Sequence, residues 1–207
     1  MTLTGTCPDI YKRYFARVKV PPSNFIFFAN TTPTKTEHKH QKINFANNVS
    51  WMVDMENILA LDLGTQTGWA LLTEGRVFSG SESFHTSRFS GGGMRFLRFR
   101  HFLDSLKQKA DIKAVYFEEV RRHLGVDAAH TYGGFLAHLT AWCEDQEIPY
   151  QGVSVGTIKR HVSGKGNASK EDVIAAVKAK GFNPADDNEA DSLALLLWAQ
   201  DNMEIKQ

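Results

Sequence analysis

The chain has little cysteine and no long run of apolar residues. Its two cysteines, Cys7 and Cys143, are too few and too far apart to indicate a disulfide framework or a zinc site. The clean apolar run near the C-terminus, residues 193–199, is far shorter than a membrane span. Charged residues interrupt the first 20 positions, where a signal peptide would need an apolar run. We therefore expect a cytoplasmic protein without a membrane partner.

The chain also has almost no excess charge of either sign. It carries 24 Lys and Arg against 23 Asp and Glu, a formal net charge of +1. Residues 1–54 have seven basic and three acidic side chains, whereas the remainder has 17 basic and 20 acidic ones. A slightly acidic body is not typical of a passive polyanion binder. If the protein handles nucleic acid, we expect the acids to serve a metal and the bases to lie on one face.

Proline and hydrophobic periodicity divide the chain into two parts. Residues 1–54 contain four of the six prolines and a polar run, and no period of 2 or 3.6 persists there. We expect this part to be a poorly ordered N-terminal extension, and residues 55–207 to form the folded domain. An apolar patch at residues 25–28 could dock onto that domain or onto a partner.

From residue 58 onwards the sequence predicts alternating strands and helices. Strands are expected at residues 58–61, 68–72, 76–84, 113–118 and 149–153, and helices at 94–110, 128–146, 157–162, 169–180 and 187–203. Ser169 with Asp172 forms a capping-box pattern, and Gly181 stands where that helix should end. The order predicts an α/β fold: a mixed sheet of five strands, flanked by helices, with a meander at one edge.

Three carboxylates occupy positions that such a fold would bring together. Asp62 ends the first strand, Glu118 ends the fourth, and Asp191 lies in the first turns of the last helix. If strands one and four are parallel neighbours, Asp62 and Glu118 emerge side by side. Clustered carboxylates repel one another unless a cation or a proton intervenes. They are hard oxygen ligands that suit Mg²⁺ or Mn²⁺, and such a site can support phosphodiester hydrolysis.

Each acidic position also has a plain structural explanation. An Asp just before a Leu-Gly turn often serves the turn itself, and Arg121 or Arg122 could simply pair with Glu118. The acids at residues 187–191 could merely favour a helix N-terminus. Only the joint pattern indicates a functional site.

Basic residues gather around a glycine-rich turn late in the chain. Gly164 and Gly166 precede a predicted helix start, where backbone N–H groups can bind phosphate. The basic residues there are Lys159, Arg160, Lys165 and Lys170. A solvated loop with an ordinary cap would give the same pattern. A second basic cluster, with arginines at 95, 98 and 100, stands at the start of the helix of residues 94–110.

Four segments resemble the RuvC family of Holliday-junction resolvases, which share the RNase H-like fold. Residues 58–64, Ile-Leu-Ala-Leu-Asp-Leu-Gly, with Gly68, resemble the opening of that family, and Phe-Glu-Glu-Val at 117–120 its second acidic motif. Residues 159–173 are similar to its lysine-bearing loop and helix. Residues 187–194, Asp-Asn-Glu-Ala-Asp-Ser-Leu-Ala, match its last-helix motif. Residues 128–134 look more like phage-borne members of the family.

The resemblance implies a divalent-metal site, with Mg²⁺ as the cofactor and Mn²⁺ as a substitute. Its ligands would be Asp62, Glu118 and Asp191, with Asn188 at a fourth position where many relatives have Asp or His. Asp187 precedes Asp191 by one helical turn and could take that place instead. Lys170 matches a lysine near the scissile phosphate and is expected to join the three carboxylates in catalysis.

The same resemblance implies an endonuclease that cleaves branched DNA, such as a four-way junction, as a homodimer. The helix of residues 128–146 could supply the dimer seam. The expected nucleic-acid contacts are Lys159, Arg160, Lys165, Lys170, Arg121 and Arg122. Some relatives have an aromatic wedge where this chain has the two arginines of residues 121 and 122, so opening of a junction would need another residue or would act through charge.

Two other functions remain open on the sequence. Residues 62–67, Asp-Leu-Gly-Thr-Gln-Thr, also look like the first phosphate motif of the sugar-kinase/actin superfamily, although no internal repeat accompanies it. The protein could also be a non-catalytic binder of structured DNA or RNA, with Asn188 marking a decayed site. Cleavage of RNA is a further alternative, because a fold does not choose its substrate.

Overall fold

The structure, a computed structural model, describes residues 57–121 and 125–202. The expected N-terminal extension and Arg122 lie outside this range. Within it, five strands form one sheet: β1 (Ile58–Asp62), β2 (Gln66–Thr73), β3 (Arg76–Ser83), β4 (Ala114–Glu119) and β5 (Tyr150–Ser154). Their order across the sheet is β3-β2-β1-β4-β5.

The pairing of these strands is mixed, as the sequence predicts. β2 pairs antiparallel with both β1 and β3, which makes the meander at one edge. β4 runs parallel to β1, and β5 runs parallel to β4. β1, β4 and β5 therefore all end at the same end of the sheet, which we call the carboxyl end. β2 begins and β3 finishes there too.

Five helices of the described residues cover the two faces of the sheet: α1 (Met94–Lys109), α2 (Val126–Asp145), α3 (Val155–Ser163), α4 (Lys170–Ala179) and α5 (Asp187–Asp201). The α/β fold with a mixed five-stranded sheet is confirmed. The predicted capping box of Ser169 and Asp172 is present at the start of α4. None of the helices in the described ranges is long and apolar enough to cross a membrane.

The strands alternate between two hydrophobic cores. Leu59 and Leu61 of β1 point to a core shared with α1 and α2. Ile58 and Ala60 point to the opposite core, which is shared with α3, α4 and α5. β4 alternates in the same way. The phase of the strands therefore decides which helical layer a side chain at the carboxyl end will meet.

Candidate metal centre

Asp62 and Glu118 lie next to each other at the carboxyl end of the sheet. The last paired residues of the parallel strands β1 and β4 are Leu61 and Phe117, and the two acids follow them directly. Each acid continues the alternation of the residues that face α3, α4 and α5. Both side chains are half-buried. The strand ends thus direct two carboxylates towards the same helical layer.

Helix α5 reaches this pair because β2 has a glycine at the crossing point. Gly68 pairs with Asp62 across the sheet. A Cβ atom on Gly68 would lie 1.8 Å from the backbone oxygen of Asn188, so a larger residue would push the first turn of α5 away. The close approach seats the start of α5 beside the end of β1. Asp191 follows Asn188 by three residues and is half-buried.

The three carboxylates lie within range of one another's charge. Burial, followed by the negative charges of Glu118 and Asp191, raises the pKa of Asp62 well above its usual value. Burial, with Asp191 adding, raises the pKa of Glu118 to about 7. The pKa of Asp191 is also raised, first by burial. Within the described part of the chain, none of the three carboxylates has a hydrogen bond or an ion pair.

Two lysines stand beside the three carboxylates. The Lys159 ammonium donates to the backbone oxygen of Ala168 at 2.8 Å, and its charge opposes the rise in pKa at Glu118 and Asp191. The Lys170 ammonium pairs with the carboxylate of Asp187 and lowers its pKa. Lys170 likewise opposes the rise in pKa at Asp62 and Asp191. We call Asp62, Glu118, Asp191, Lys159 and Lys170 the carboxylate–lysine cluster.

The remaining predicted contacts lie elsewhere. Arg121 forms an ion pair with Glu119 at 3.0 Å, so it does not neutralise Glu118. Arg160 and Lys165 are exposed around Gly166, where the Arg160 guanidinium would be 3.1 Å from an added Cβ. The structure therefore brings together five of the predicted residues and leaves these three on the surrounding surface.

A hydrogen-bond network that the sequence did not reveal fixes the start of α5. Glu189 is 8% exposed and accepts hydrogen bonds from Ser79 Oγ at 2.6 Å and from the Ala185 N–H at 2.7 Å. Asp186 caps α5 by accepting from the Glu189 N–H, and it also accepts from Ser81 Oγ at 2.6 Å. The only sequence signal is the alternation of two serines along β3. This network ties α5, and Asp191 with it, to the sheet.

Tyr132 fixes the end of β4 from the other side of the sheet. Its hydroxyl donates to the backbone oxygen of Glu118 at 2.9 Å and accepts from the N–H of Val120 at 3.2 Å. The two bonds satisfy backbone groups where the strand pairing stops. No local sequence pattern indicates this contact, because it depends on how α2 packs against the sheet.

The donor atoms of the cluster suit a hard divalent cation. Its three carboxylates are oxygen ligands without another partner in residues 57–121 and 125–202, and Mg²⁺ and Mn²⁺ prefer such ligands. As they stand, no three Asp, Glu, His or Cys side chains in these ranges are gathered closely enough to hold an ion. Binding of a cation would therefore require the carboxylate groups to move closer together, which their mutual repulsion opposes until the cation is there.

Comparison with solved structures shows which known proteins have a similar fold. The RuvC of Thermus thermophilus in complex with a Holliday junction substrate matches with a TM-score of 0.61 at 21% identity, covering 69% of this chain and 91% of that chain. A second Thermus thermophilus RuvC structure matches with a TM-score of 0.56 at 22% identity, covering 68% and 91%. No family model matches the chain, and no curated protein sequence does. The chain thus has a RuvC-like, RNase H-like fold.

Proposed function

We propose that the protein is a metal-dependent endonuclease that cleaves branched DNA by phosphodiester hydrolysis. The observation that carries the proposal is the convergence of Asp62, Glu118 and Asp191, half-buried and without partners in the described residues, at the carboxyl end of the sheet. Structural carboxylates in such positions normally accept hydrogen bonds or ion pairs. A bound cation would satisfy all three at once.

The metal ligands would be Asp62, Glu118 and Asp191, with Mg²⁺ as the natural ion and Mn²⁺ as a substitute. Of the two candidates for a fourth position we favour the side-chain oxygen of Asn188, because Lys170 already engages the carboxylate of Asp187. When bound, the metal supplies an activated water and stabilises the leaving oxygen. Asn188 adds an oxygen ligand without a charge.

The two lysines of the cluster would bind the phosphate that is cleaved. Lys170 is exposed, and its ion pair with Asp187 holds the ammonium beside Asp62 and Asp191. Lys159 is half-buried, and the backbone oxygen of Ala168 fixes its ammonium near Glu118. A phosphodiester brought to the carboxylates would thus meet positive charge on the side of α3 and α4, which offsets repulsion between the two anionic partners.

The DNA partner is proposed to be a four-way or otherwise branched molecule. Support comes from the fold, because one similar structure is a RuvC in complex with a Holliday junction substrate. Two related nicks in such a substrate need two active sites related by a two-fold axis, so we propose a homodimer. Arg160, Lys165, Arg121 and Arg122 remain predicted DNA contacts around the cluster.

The deciding experiment is a cleavage assay on a synthetic four-way junction with Mg²⁺, with Mn²⁺ and with EDTA. Asp62→Asn and Glu118→Gln should each reduce the cleavage rate at least about a hundredfold, because each removes a charged ligand of the metal that would stabilise the transition state. Junction binding in EDTA should be retained. Glu82→Gln is the matched control, since Glu82 is an exposed acid on β3 at the same end of the sheet. Near-normal cleavage by either cluster variant would contradict the proposal.

Two observations favour a second candidate, a non-catalytic binder of structured nucleic acid. Asn188 is uncharged, and the carboxylates of the described residues are not already gathered around an ion site. The same assay separates the two functions. Tight junction binding, with no product in either metal, would establish the binder and exclude the endonuclease.

A further inference from the structure

A strongly basic segment lies at the carboxyl end of the sheet. Residues 83–103 contain four arginines and two histidines, and neither Asp nor Glu occurs among them. The whole chain, by contrast, has a net charge of only +1. We call residues 85–98, from the end of β3 into the first turns of α1, the arginine segment.

Backbone and side-chain contacts fix where this segment lies. The N–H of Phe84 donates to the backbone oxygen of Thr65 at 2.7 Å, so the segment begins beside the turn that follows Asp62. Arg98 donates to the backbone oxygen of His85 at 3.2 Å, which holds the loop against α1. The arginine segment and the carboxylate–lysine cluster therefore share one end of the sheet, on the sides of opposite helical layers.

No acidic side chain of the described residues neutralises the charges of the segment. Arg88, Arg95 and Arg98 form no ion pair with any residue in the described ranges. Arg100, just beyond the segment, reaches Asp145 at 3.9 Å. Acidic residues stabilise the first turn of a helix, yet α1 has none there. The arginines therefore add positive potential without contributing to helix stability, which is the charge pattern of a surface that binds an anion.

One aromatic side chain in the segment is exposed, unlike its neighbours. Phe89 is 85% exposed, whereas Phe84 and Phe99 are buried in the core of α1 and α2. The guanidinium carbon of Arg88 lies 4.9 Å from the centre of the Phe89 ring. A ring and a guanidinium held together on a basic surface form a platform on which an unpaired base can stack.

We propose that the arginine segment binds unpaired nucleotides of the DNA, with Phe89 stacking on a base and Arg88, Arg95 and Arg98 contacting phosphates. This proposal rests on the proposed function in one respect: it assumes that the cleavage site lies at the carboxylate–lysine cluster, next to the unpaired strand. The chemistry of the partner follows from the segment itself: every base has a face that can stack, and the arginines neutralise the backbone. The exposed Phe89 ring beside Arg88 favours a nucleic acid over an acidic protein, because a base can stack on the ring.

The test measures binding by the full chain in EDTA, where cleavage cannot interfere. Fluorescence anisotropy with labelled single strands, forked duplexes and blunt duplexes gives Kd at several salt concentrations. Phe89→Ala should weaken binding to single strands and forks about tenfold, with a smaller effect on blunt duplexes. Phe89→Trp should retain the affinity, because the larger ring still stacks.

Two double variants, each of which removes two positive charges, test the role of the arginines. Arg88→Ala with Arg98→Ala removes two positive charges from the segment, and Arg76→Ala with Lys109→Ala removes two from the opposite end of β3 and α1. The first pair should make the negative slope of log K against log salt shallower by about 1.4 on single strands, at about 0.7 per phosphate contact. The second pair should change the slope little.

Each outcome bears on the proposal. Unchanged binding by Phe89→Ala and by the Arg88–Arg98 pair would overturn it, and junction cleavage by the unaltered chain would then leave the proposed function standing. If DNA binding depends on the arginine segment but the chain cleaves no junction, the proposal for the segment is supported and the proposed endonuclease function is overturned. Segment variants that bind DNA normally but lose dimerisation in sedimentation would assign the surface to a second copy of the chain. No binding to any of these probes by the unaltered chain would overturn the proposal for the arginine segment, whereas the junction-cleavage assay tests the endonuclease separately.

Discussion

Ser79 and Glu189 join the edge strand β3 to the first turn of α5. The hydroxyl of Ser79 donates to Oε1 of Glu189 at 2.6 Å, although the two residues are 110 positions apart. Glu189 lies two residues before Asp191, so this bond fixes the helical turn that carries a proposed metal ligand. β3 lies two strands away from β1 in the sheet. An edge strand thereby positions the site without contributing a ligand to it.

Loss of the Ser79 hydroxyl should weaken both the fold and the metal site. Ser79→Ala leaves Glu189 nearly buried with one hydrogen bond fewer, which should lower the free energy of unfolding by about 1–3 kcal/mol. The affinity for Mn²⁺ should fall as well, because the start of α5 is less firmly held. Urea unfolding and isothermal titration calorimetry measure the two effects.

Ser83→Ala is the matched control for this substitution. Ser83 ends the same strand, is exposed, and has no side-chain hydrogen bond in the described part of the chain. We expect its unfolding free energy and Mn²⁺ affinity to equal those of the unaltered protein. If Ser79→Ala behaved like Ser83→Ala in both measurements, Glu189 would not position Asp191.

A methyl group at Gly68 should disrupt the crossing of α5 over β2. The added Cβ would meet the Asn188 backbone oxygen at 1.8 Å, and a backbone atom within a capped helix cannot move aside cheaply. We expect Gly68→Ala to cost at least about 3 kcal/mol of unfolding free energy, the upper range for overpacked sites. Urea unfolding of the variant and the parent chain measures this cost.

Gly133 provides the opposite case within α2. A Cβ there would meet nothing within 4 Å, and the residue is exposed in the middle of the helix. Gly133→Ala should therefore raise the unfolding free energy by about 0.5–1 kcal/mol, because alanine loses less backbone entropy on folding. Equal effects at the two glycines would show that α5 does not approach β2 as described.

The sequence could predict the parts of the site that depend on strand order. Periodicity and turn residues predict that Asp62 and Glu118 lie at strand ends, and the structure has these two strands as parallel neighbours. Asp191 followed from its place early in the last helix. Local patterns suffice here because a parallel crossover fixes which strand ends meet.

The hydrogen-bond and ion-pair partners around the site could not be predicted from the sequence in the same way. Glu189 resembles an ordinary acid in the first turn of a helix, and its serine partner is on a distant strand. The sequence also left open whether Arg121 neutralises Glu118. The structure pairs Arg121 with Glu119, which extends from the opposite face of β4. Such contacts depend on side-chain packing across the sheet. This packing leaves no periodic pattern in the sequence from which the partners could be predicted.

The stability of the metal-free chain should fall as the pH rises towards neutrality. Burial and Asp191 raise the pKa of Glu118 from 4.5 to about 7. Between these values the folded chain keeps a proton that the unfolded chain has released, so ionisation favours unfolding. The Glu118 contribution to this loss begins above pH 4.5 and is complete above about pH 7. Urea unfolding from pH 4.5 to 8 in EDTA measures the slope.

Two controls isolate Glu118 in this measurement. Glu118→Gln removes the titrating group, so its unfolding free energy should fall less steeply over the same pH range. Mg²⁺ should stabilise the unaltered chain more at pH 8 than at pH 5, because a cation competes with protons for the carboxylates. Identical pH slopes for the variant and the parent chain would rule out a buried, charge-coupled Glu118.

Restoring a charge at position 188 should tighten metal binding and destabilise the metal-free chain. Asn188→Asp adds a fourth carboxylate to a site where three already repel, so the unfolding free energy in EDTA should fall. With the metal present, the added charge should improve Mn²⁺ affinity by about tenfold or more, as expected for opposite charges in contact. Calorimetry measures the expected rise in Mn²⁺ affinity, and urea unfolding in EDTA measures the expected fall in unfolding free energy of the same variant.

Asp187→Asn decides whether Asn188 or Asp187 completes the metal site. If Asn188 is the fourth ligand, this variant releases Lys170 from its ion pair and changes Mn²⁺ affinity far less than Asn188→Asp does. If Asp187 is the ligand, its loss weakens Mn²⁺ binding sharply, and an acid at position 188 adds little. Lys170→Ala should strengthen Mn²⁺ binding in both cases, because it removes a positive charge beside Asp62 and Asp191. The gain should be larger if Asp187 is the ligand, since the variant also releases Asp187 from its ion pair.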